Sequence, residues 1–166
     1  MSDPRTIQKV LLGPPLGLEQ LVAVARYGAA VEFSPDYQAR VRRSRELVER
    51  LVAEGRVVYG TTTGFGNLCD RVISEEEAAQ LQLNLVRSDA ASVGRPLTRE
   101  QTRAVILMML QNTGRGFSGI RLETLELLRQ FLNRDLIPFA PREGSVGYLT
   151  VEANIALVLL GEGKAF

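Results

Sequence analysis

The sequence predicts a mainly α fold carrying one or two short strands, and three observations lead there. Segments with helical spacing of apolar residues recur along the chain, several of them opened by a capping Ser or Thr and closed by Gly. Two further segments, residues 104–110 and 155–160, are apolar on every side, as helices buried in a bundle are. Only residues 31–33 alternate in the manner of a strand.

Taken in order, residues 1–17 form an N-terminal lead ending in Gly13-Pro14-Pro15, which cannot continue a helix. A frayed terminus is the expectation there, with an arm packed on a neighbour as the alternative. Residues 18–25 read as a short helix closed by Gly28. Ser34, Pro35 and Asp36 supply an N-cap, a proline at the first helical position and an acid in the first turn of a helix that should stop at Gly55. Val41, Leu47, Val48 and Leu51 give that helix its apolar stripe. Arg40, Arg42, Arg43, Arg45 and Arg50 could bind phosphate, but Glu46 and Glu49 are interleaved with them, so a solvated face is expected.

The pair Ser74 and Glu77 marks a capping box, as does Thr98 with Gln101. Gly114 and Gly116 end the second of these helices, and Ser118-Gly119 should restart one running to Asn133 with Leu125, Leu128 and Leu132 on one face. Pro138 and Pro141 then impose an extended connection into Glu143-Gly144-Ser145-Val146-Gly147, a strained turn feeding the apolar 155–160 segment. Two helices apolar all round are more than one small domain covers, which predicts either self-association or further chain packed upon them.

Composition removes several function classes. Hydrophobic residues make up 45% and charged residues 23% of the chain, as in an ordinary globular domain. A net charge of +1 gives no field for nucleic acid. The chain contains no histidine, so a Ser-His triad or a histidine metal site is excluded within it, and no metal site is expected. The single cysteine, Cys69, rules out an internal disulfide and suits a reducing compartment. No apolar run reaches the roughly 20 residues of a membrane span, and the first residues lack a signal peptide's apolar core. A cytoplasmic protein is expected.

Three motifs carry the functional reading: Val58-Tyr59-Gly60-Thr61-Thr62-Thr63-Gly64-Phe65-Gly66, Arg115-Gly116-Phe117-Ser118-Gly119-Ile120-Arg121, and the Gly144-Ser145-Val146-Gly147 turn with the apolar segment after it. In this order and at this spacing they resemble the histidine and aromatic amino-acid (phenylalanine, tyrosine) ammonia-lyase family from about Leu18 onward. The resemblance implies that residues 18–166 are the N-terminal region of the ammonia-lyase helical-bundle fold, ending where the central bundle starts. It also implies elimination of ammonia from an L-amino acid, an oligomer (a tetramer in the family) with shared active sites, Tyr59 as catalytic base, and a glycine-rich loop over the substrate in which Gly66 is substrate-binding. A phenol is a weak acid, so it can act as base only where its surroundings favour the phenolate. Without the resemblance, Tyr59 reads as a strand-end residue with its ring in the core. Asp89 stands where histidine-using members have Ser-His-Ala, a substrate-selecting position. A carboxylate there would favour a cationic or hydroxyl-bearing side chain; its other reading is a solvent-facing helix residue.

The sequence departs from the family at one decisive place. Family members follow Gly-Ser-Val-Gly with Ala-Ser-Gly, which cyclises into the electrophilic methylidene-imidazolone group. Here Gly147 is followed by Tyr148, and Ala-Ser-Gly occurs nowhere. Seven residues separate Gly147 from Ile155, three fewer than in the family pattern. Either the gene lacks the triad, or a fused triad has dropped out of the sequence. Residues 148–154 also differ from the family's Asp-Leu-Ala-Pro-Leu-Ala-His at most positions, which favours true loss. The prosthetic-group loop (Gly144, Ser145, Val146, Gly147 and Tyr148) thus has no cofactor of its own in this sequence. Three outcomes stay open: an ammonia-lyase; a binding or oligomerisation subunit, or an enzyme of other chemistry using Tyr59, Tyr148 and Glu152; and a helical fragment without activity.

Overall fold

A computed structural model describes residues 2–64, 75–144 and 149–166. It is mainly α, with six α-helices and four short strands among the described residues. Strand β1 (Lys9–Leu12) and β2 (Ala30–Phe33) pair in parallel, Lys9 opposite Ala30 and Leu12 opposite Phe33. Helix α1 (Leu18–Tyr27) makes the crossover that parallel pairing requires. Helices α2 (Pro35–Ala53), α3 (Glu75–Asp89), α4 (Arg99–Thr113), α5 (Leu122–Asn133) and α6 (Thr150–Leu159) follow, with β3 (Val93–Pro96) antiparallel to β4 (Pro141–Glu143). Helix α4 packs against α1 and α5, and α6 packs against α3 and α4.

The capping signals are realised in atoms. Ser34 Oγ accepts from the Tyr37 N–H (3.1 Å), and Thr98 and Gln101 exchange reciprocal bonds of 3.3 and 3.0 Å. Gly28 closes α1 in the left-handed region at φ 75°. Ser74 lies outside the described residues.

Three expectations need correction. The N-terminal lead is no frayed terminus: β1 pairs with β2, and Val10 and Leu12 are fully buried. Its alternation was hidden because the outward position between them is also apolar, Leu11, which is 45% exposed. Helix α5 begins at Leu122 rather than Ser118, since Gly119 has φ 66° and cannot belong to a helix. Helix α4 is not buried all round: Ile106, Leu107 and Leu110 face the core, whereas Met108 on the opposite side is 45% exposed. Helix α6 is likewise only partly covered, with Ala153 and Ile155 inside and Leu149 and Leu160 exposed.

The core gathers Val10, Leu12, Val24, Val31, Val41, Ile106, Leu110, Leu125 and Leu132 around Tyr37. The Tyr37 ring stacks on Phe33, centroids 4.3 Å apart, and its hydroxyl donates to the Leu110 carbonyl at 2.8 Å. Arg103, with no exposed surface, donates to the carbonyls of Val24 (2.9 Å) and Leu132 (2.8 Å) and to Asp135 Oδ1 (2.9 Å). It thereby adds a donor to carbonyls at the ends of α1 and α5, the second of which also accepts from the Asp135 N–H at 3.3 Å.

These pairings fix the pH range of stability. Hydrogen bonding from Arg99, with Arg103 behind it, holds the Asp135 carboxyl below its usual range, and Arg129 does the same for Glu126. A depressed folded value contributes stability that is present above the unfolded pKa, near 4, and is lost as pH falls through the folded value. Burial pushes the Tyr37 phenol up; its contribution is complete below the unfolded pKa, near 10, and is lost as pH rises beyond it. Urea midpoints are therefore expected to be level from about pH 5 to 9 and to fall on both sides of that window. A midpoint still level at about pH 3 would contradict the acid limb.

Candidate functional site

Tyr59 sits in a turn that its own threonines hold shut. The N–H groups of Thr61 and Thr62 both donate to the Val58 carbonyl at 3.0 Å. Thr62 Oγ1 accepts from the Val58 N–H (2.8 Å) and donates to the Arg56 carbonyl (2.7 Å), and Thr63 Oγ1 accepts from the Gly60 N–H (3.2 Å). Gly60 supplies the left-handed conformation that the turn needs, φ 68°. Tyr59 itself is 64% exposed. The strand-end reading, with the ring in the core, is thereby overturned: residue 59 lies in a turn and its side chain is largely exposed.

Helix α3 connects this turn to the second part of the site. Gln82 Nε2 donates to the Gly60 carbonyl at 3.3 Å. Asp89, seven residues further on and roughly 10 Å along the helix axis, is the last residue of α3 and is half-buried. The chain then passes through Ala91 and Ser92 into β3, and there Gly144 stands against it: a Cβ on Gly144 would lie 3.3 Å from the Ser92 Cα. Gly144 has φ 117°, a conformation that side chains disfavour. Asp89 and Gly144 thus flank one junction, and the Tyr59 turn meets α3 about two helical turns earlier, at Gln82. Gly66 and the loop residues Ser145, Val146, Gly147 and Tyr148 lie outside the described residues. Glu152 faces elsewhere, into a hollow of about 500 Å³ between α4 and α6 beside Leu149 and Met108.

Sequence reading missed the polar cluster under the junction. Asn154 Nδ2 donates to Ser92 Oγ and to the Thr150 carbonyl, both at 2.7 Å. The buried Thr150 Oγ1 makes no hydrogen bond. This cluster clamps the first turn of α6 to the end of α3, and Arg87 adds a two-pronged pair with Glu162 (2.9 and 2.6 Å) across the same two elements. Ser92 and Asn154 are 62 residues apart, so no local spacing announces their contact. Among the described residues no group of three or more acidic or cysteine side chains is placed to hold a metal.

Residues 16–166 match the family described as aromatic amino acid lyase. The chain belongs to that family. It is 49% identical to the histidine ammonia-lyase of Symbiobacterium thermophilum, over 96% of this chain and 32% of the relative. Against the histidine ammonia-lyase of Myxococcus xanthus identity is 45%, over all of this chain and 33% of the relative. Among solved structures, the ergothioneine-degrading ergothionase of Treponema denticola superposes with a TM-score of 0.90 at 33% identity, covering 95% of this chain and 32% of that one. The chain thus spans about a third of the length of the relatives it matches.

The residues of the loop do not suit the family's prosthetic group. Its ring closes when the amide nitrogen of a glycine following serine attacks the carbonyl of the alanine before it. Gly144-Ser145-Val146-Gly147 matches the residues that precede the Ala-Ser-Gly triad in the family, but Gly147 is followed by Tyr148, and no serine of the chain stands between an alanine and a glycine. The Myxococcus xanthus alignment runs to 169 positions over this 166-residue chain, so at least three positions of that relative have no counterpart here.

Proposed function

We propose that this chain is the N-terminal region of an ammonia-lyase-like protein that binds a small L-amino acid without eliminating ammonia from it. The observation that carries the reading is Tyr148 directly after Gly147, with no Ala-Ser-Gly anywhere in the sequence to close the ring. Elimination removes a proton from the amino acid's β-carbon while the amino group leaves. An unactivated β C–H is far too weak an acid for a phenolate, so Tyr59 as base accomplishes nothing without an electron sink on the substrate. On this reading the Tyr59 turn with Gly66, Asp89 and the Gly144–Tyr148 loop line a binding site. Asp89 would pair with a cationic or hydroxyl-bearing side chain and penalise a plain phenyl ring. Residues 18–166 would form the region that leads into the family's central bundle.

The protein would act as a homo-oligomer, a tetramer as in the family, and reside in the cytoplasm. The exposed Met108 side of α4, with the hollow beside it, supports the first point. For the second, no helix among the described residues is long and apolar enough to cross a membrane, and net charge gives nucleic acid no purchase.

Identity of 49% to a histidine ammonia-lyase favours a second reading, elimination with a triad the sequence does not display. One experiment separates the two. Intact mass of the full-length protein is expected to equal that of its encoded residues. L-Histidine, L-tyrosine or L-phenylalanine should then release no ammonia, while at least one amino acid raises the melting temperature. A chain lighter than its encoded residues by the two waters that ring closure and dehydration release, together with ammonia release, would establish the second reading instead.

A further inference from the structure

The Arg115–Arg121 motif has no part in the site above, yet the fold fixes it tightly. The Gly119 N–H donates to Ser44 Oγ (3.0 Å), and Arg40 Nε donates to the Gly114 carbonyl (3.4 Å). Gly116 has φ 82°, and a Cβ there would stand 2.9 Å from the Arg40 carbonyl oxygen. At the summit of this pinned turn Phe117 is 85% exposed. A flexible loop could fold such a ring back onto the protein; this one holds it in water, as interfaces hold their aromatic anchors. Arg43, Arg50 and Phe117 border a hollow of about 500 Å³ in which Glu46 is the one acidic lining residue, and Arg115 lies 5.8 Å from the Phe117 ring.

That hollow continues along a single face. Through Glu46 it joins a smaller one of about 300 Å³, which through Leu122 and Glu123 joins a third of about 700 Å³. The third has the opposite character. Phe33, Leu122 and the 48%-exposed Leu127 give it apolar walls, and Glu32, Glu123 and Glu126 rim it. Lys9 and Arg129 already pair with Glu32 and Glu126, but Glu123 has no ion-pair partner among the described residues. One end of the face therefore offers an aromatic ring among arginines, and the other an apolar hollow edged by carboxylates.

We propose that this face is a two-fold contact between copies of this chain. A half-turn rotation places the Phe117 end of each copy on the Glu123 end of the other, the self-complementarity an isologous interface demands. The contact shares no residue with the α4–α6 hollow and does not rest on amino-acid binding.

Sedimentation velocity of the full-length protein over a range of concentrations tests it. Phe117→Ser, Arg43→Glu and Glu123→Arg are each expected to weaken one association step by about tenfold or more. The double swap Arg43→Glu/Glu123→Arg should return it to within about threefold of the parent. All three positions are exposed, and unchanged melting temperatures verify that the variants fold. Parental association in all three single variants would overturn the contact. Weakened single variants without recovery in the double swap would overturn the two-fold pairing.

Discussion

Arg103→Ala is expected to destabilise the fold by about 3–5 kcal/mol, the range for breaking a buried charged network and leaving its partners unsatisfied. Arg103 has no exposed surface, and its guanidinium holds the Val24 and Leu132 carbonyls at 2.9 and 2.8 Å. Alanine would leave a void beside both acceptors, of which the Leu132 carbonyl keeps the Asp135 N–H at 3.3 Å. Asp135 would suffer less, being half-exposed and still paired with Arg99 at 2.8 Å. The cost should therefore fall on the backbone acceptors and the cavity, and two further variants separate these. Arg103→Met refills much of the volume but donates nothing, and should recover about half of the loss. Asp135→Asn removes a charge that water already screens and should cost no more than about 1 kcal/mol. Urea denaturation measures all three. If Arg103→Ala shifted stability by less than about 1 kcal/mol, the guanidinium would not be the tie between α1 and α5 that its bonds suggest.

How far the sequence could be read depended on the range of the interactions involved. The starts of α2 and α4 were legible because capping is a transaction between residues three apart, as at Ser34 with Tyr37 and Thr98 with Gln101. The β1 strand was not, because Leu11 masks the alternation of Val10 and Leu12, and only pairing with β2 across α1 shows which side is inward. Nor was Arg103 legible: in sequence it is one more arginine on a helix, and burial comes from α1 and α5 closing over it. Three of the five α2 arginines pair with acids, though of the interleaved Glu46 and Glu49 only Glu49 takes part among the described residues. Arg40 pairs with Asp36, Arg45 with Glu49, and Arg50 with Glu54. At the candidate site, the motif residues Tyr59, Asp89 and Gly144 could be named from the sequence, whereas the Ser92–Asn154 clamp that holds the last two elements together could not. Motifs record chemistry at single positions. Clamps of this kind exist only once distant segments meet.

Gly114→Ala is expected to cost about 3 kcal/mol, at the upper end for overpacking a core, although nothing in the backbone forbids alanine there. Gly114 has φ −66° and ψ −5°, ordinary helical values at the C-terminal cap of α4. The obstacle is Tyr37: a Cβ on Gly114 would lie 1.8 Å from the ring's Cε2 and 2.3 Å from its Cζ. A free side chain would swing away. This ring is stacked on Phe33 on one face and tied through its hydroxyl to the Leu110 carbonyl, so relief requires breaking the stack, the bond or the end of α4. The clash predicts strong coupling. Tyr37→Leu alone should cost about 2–4 kcal/mol for the lost ring contacts and cavity. Adding Gly114→Ala to it should cost almost nothing more, because the new methyl then enters space the ring has vacated. Tyr37→Phe, which keeps the ring and loses only the hydroxyl bond, should leave the Gly114→Ala penalty intact. A double-mutant cycle from urea midpoints reads these values directly. Additive costs for Gly114→Ala and Tyr37→Leu would mean that the α4 terminus gives way without engaging the ring, and the close approach of α2 to α4 would then owe nothing to the missing side chain at residue 114.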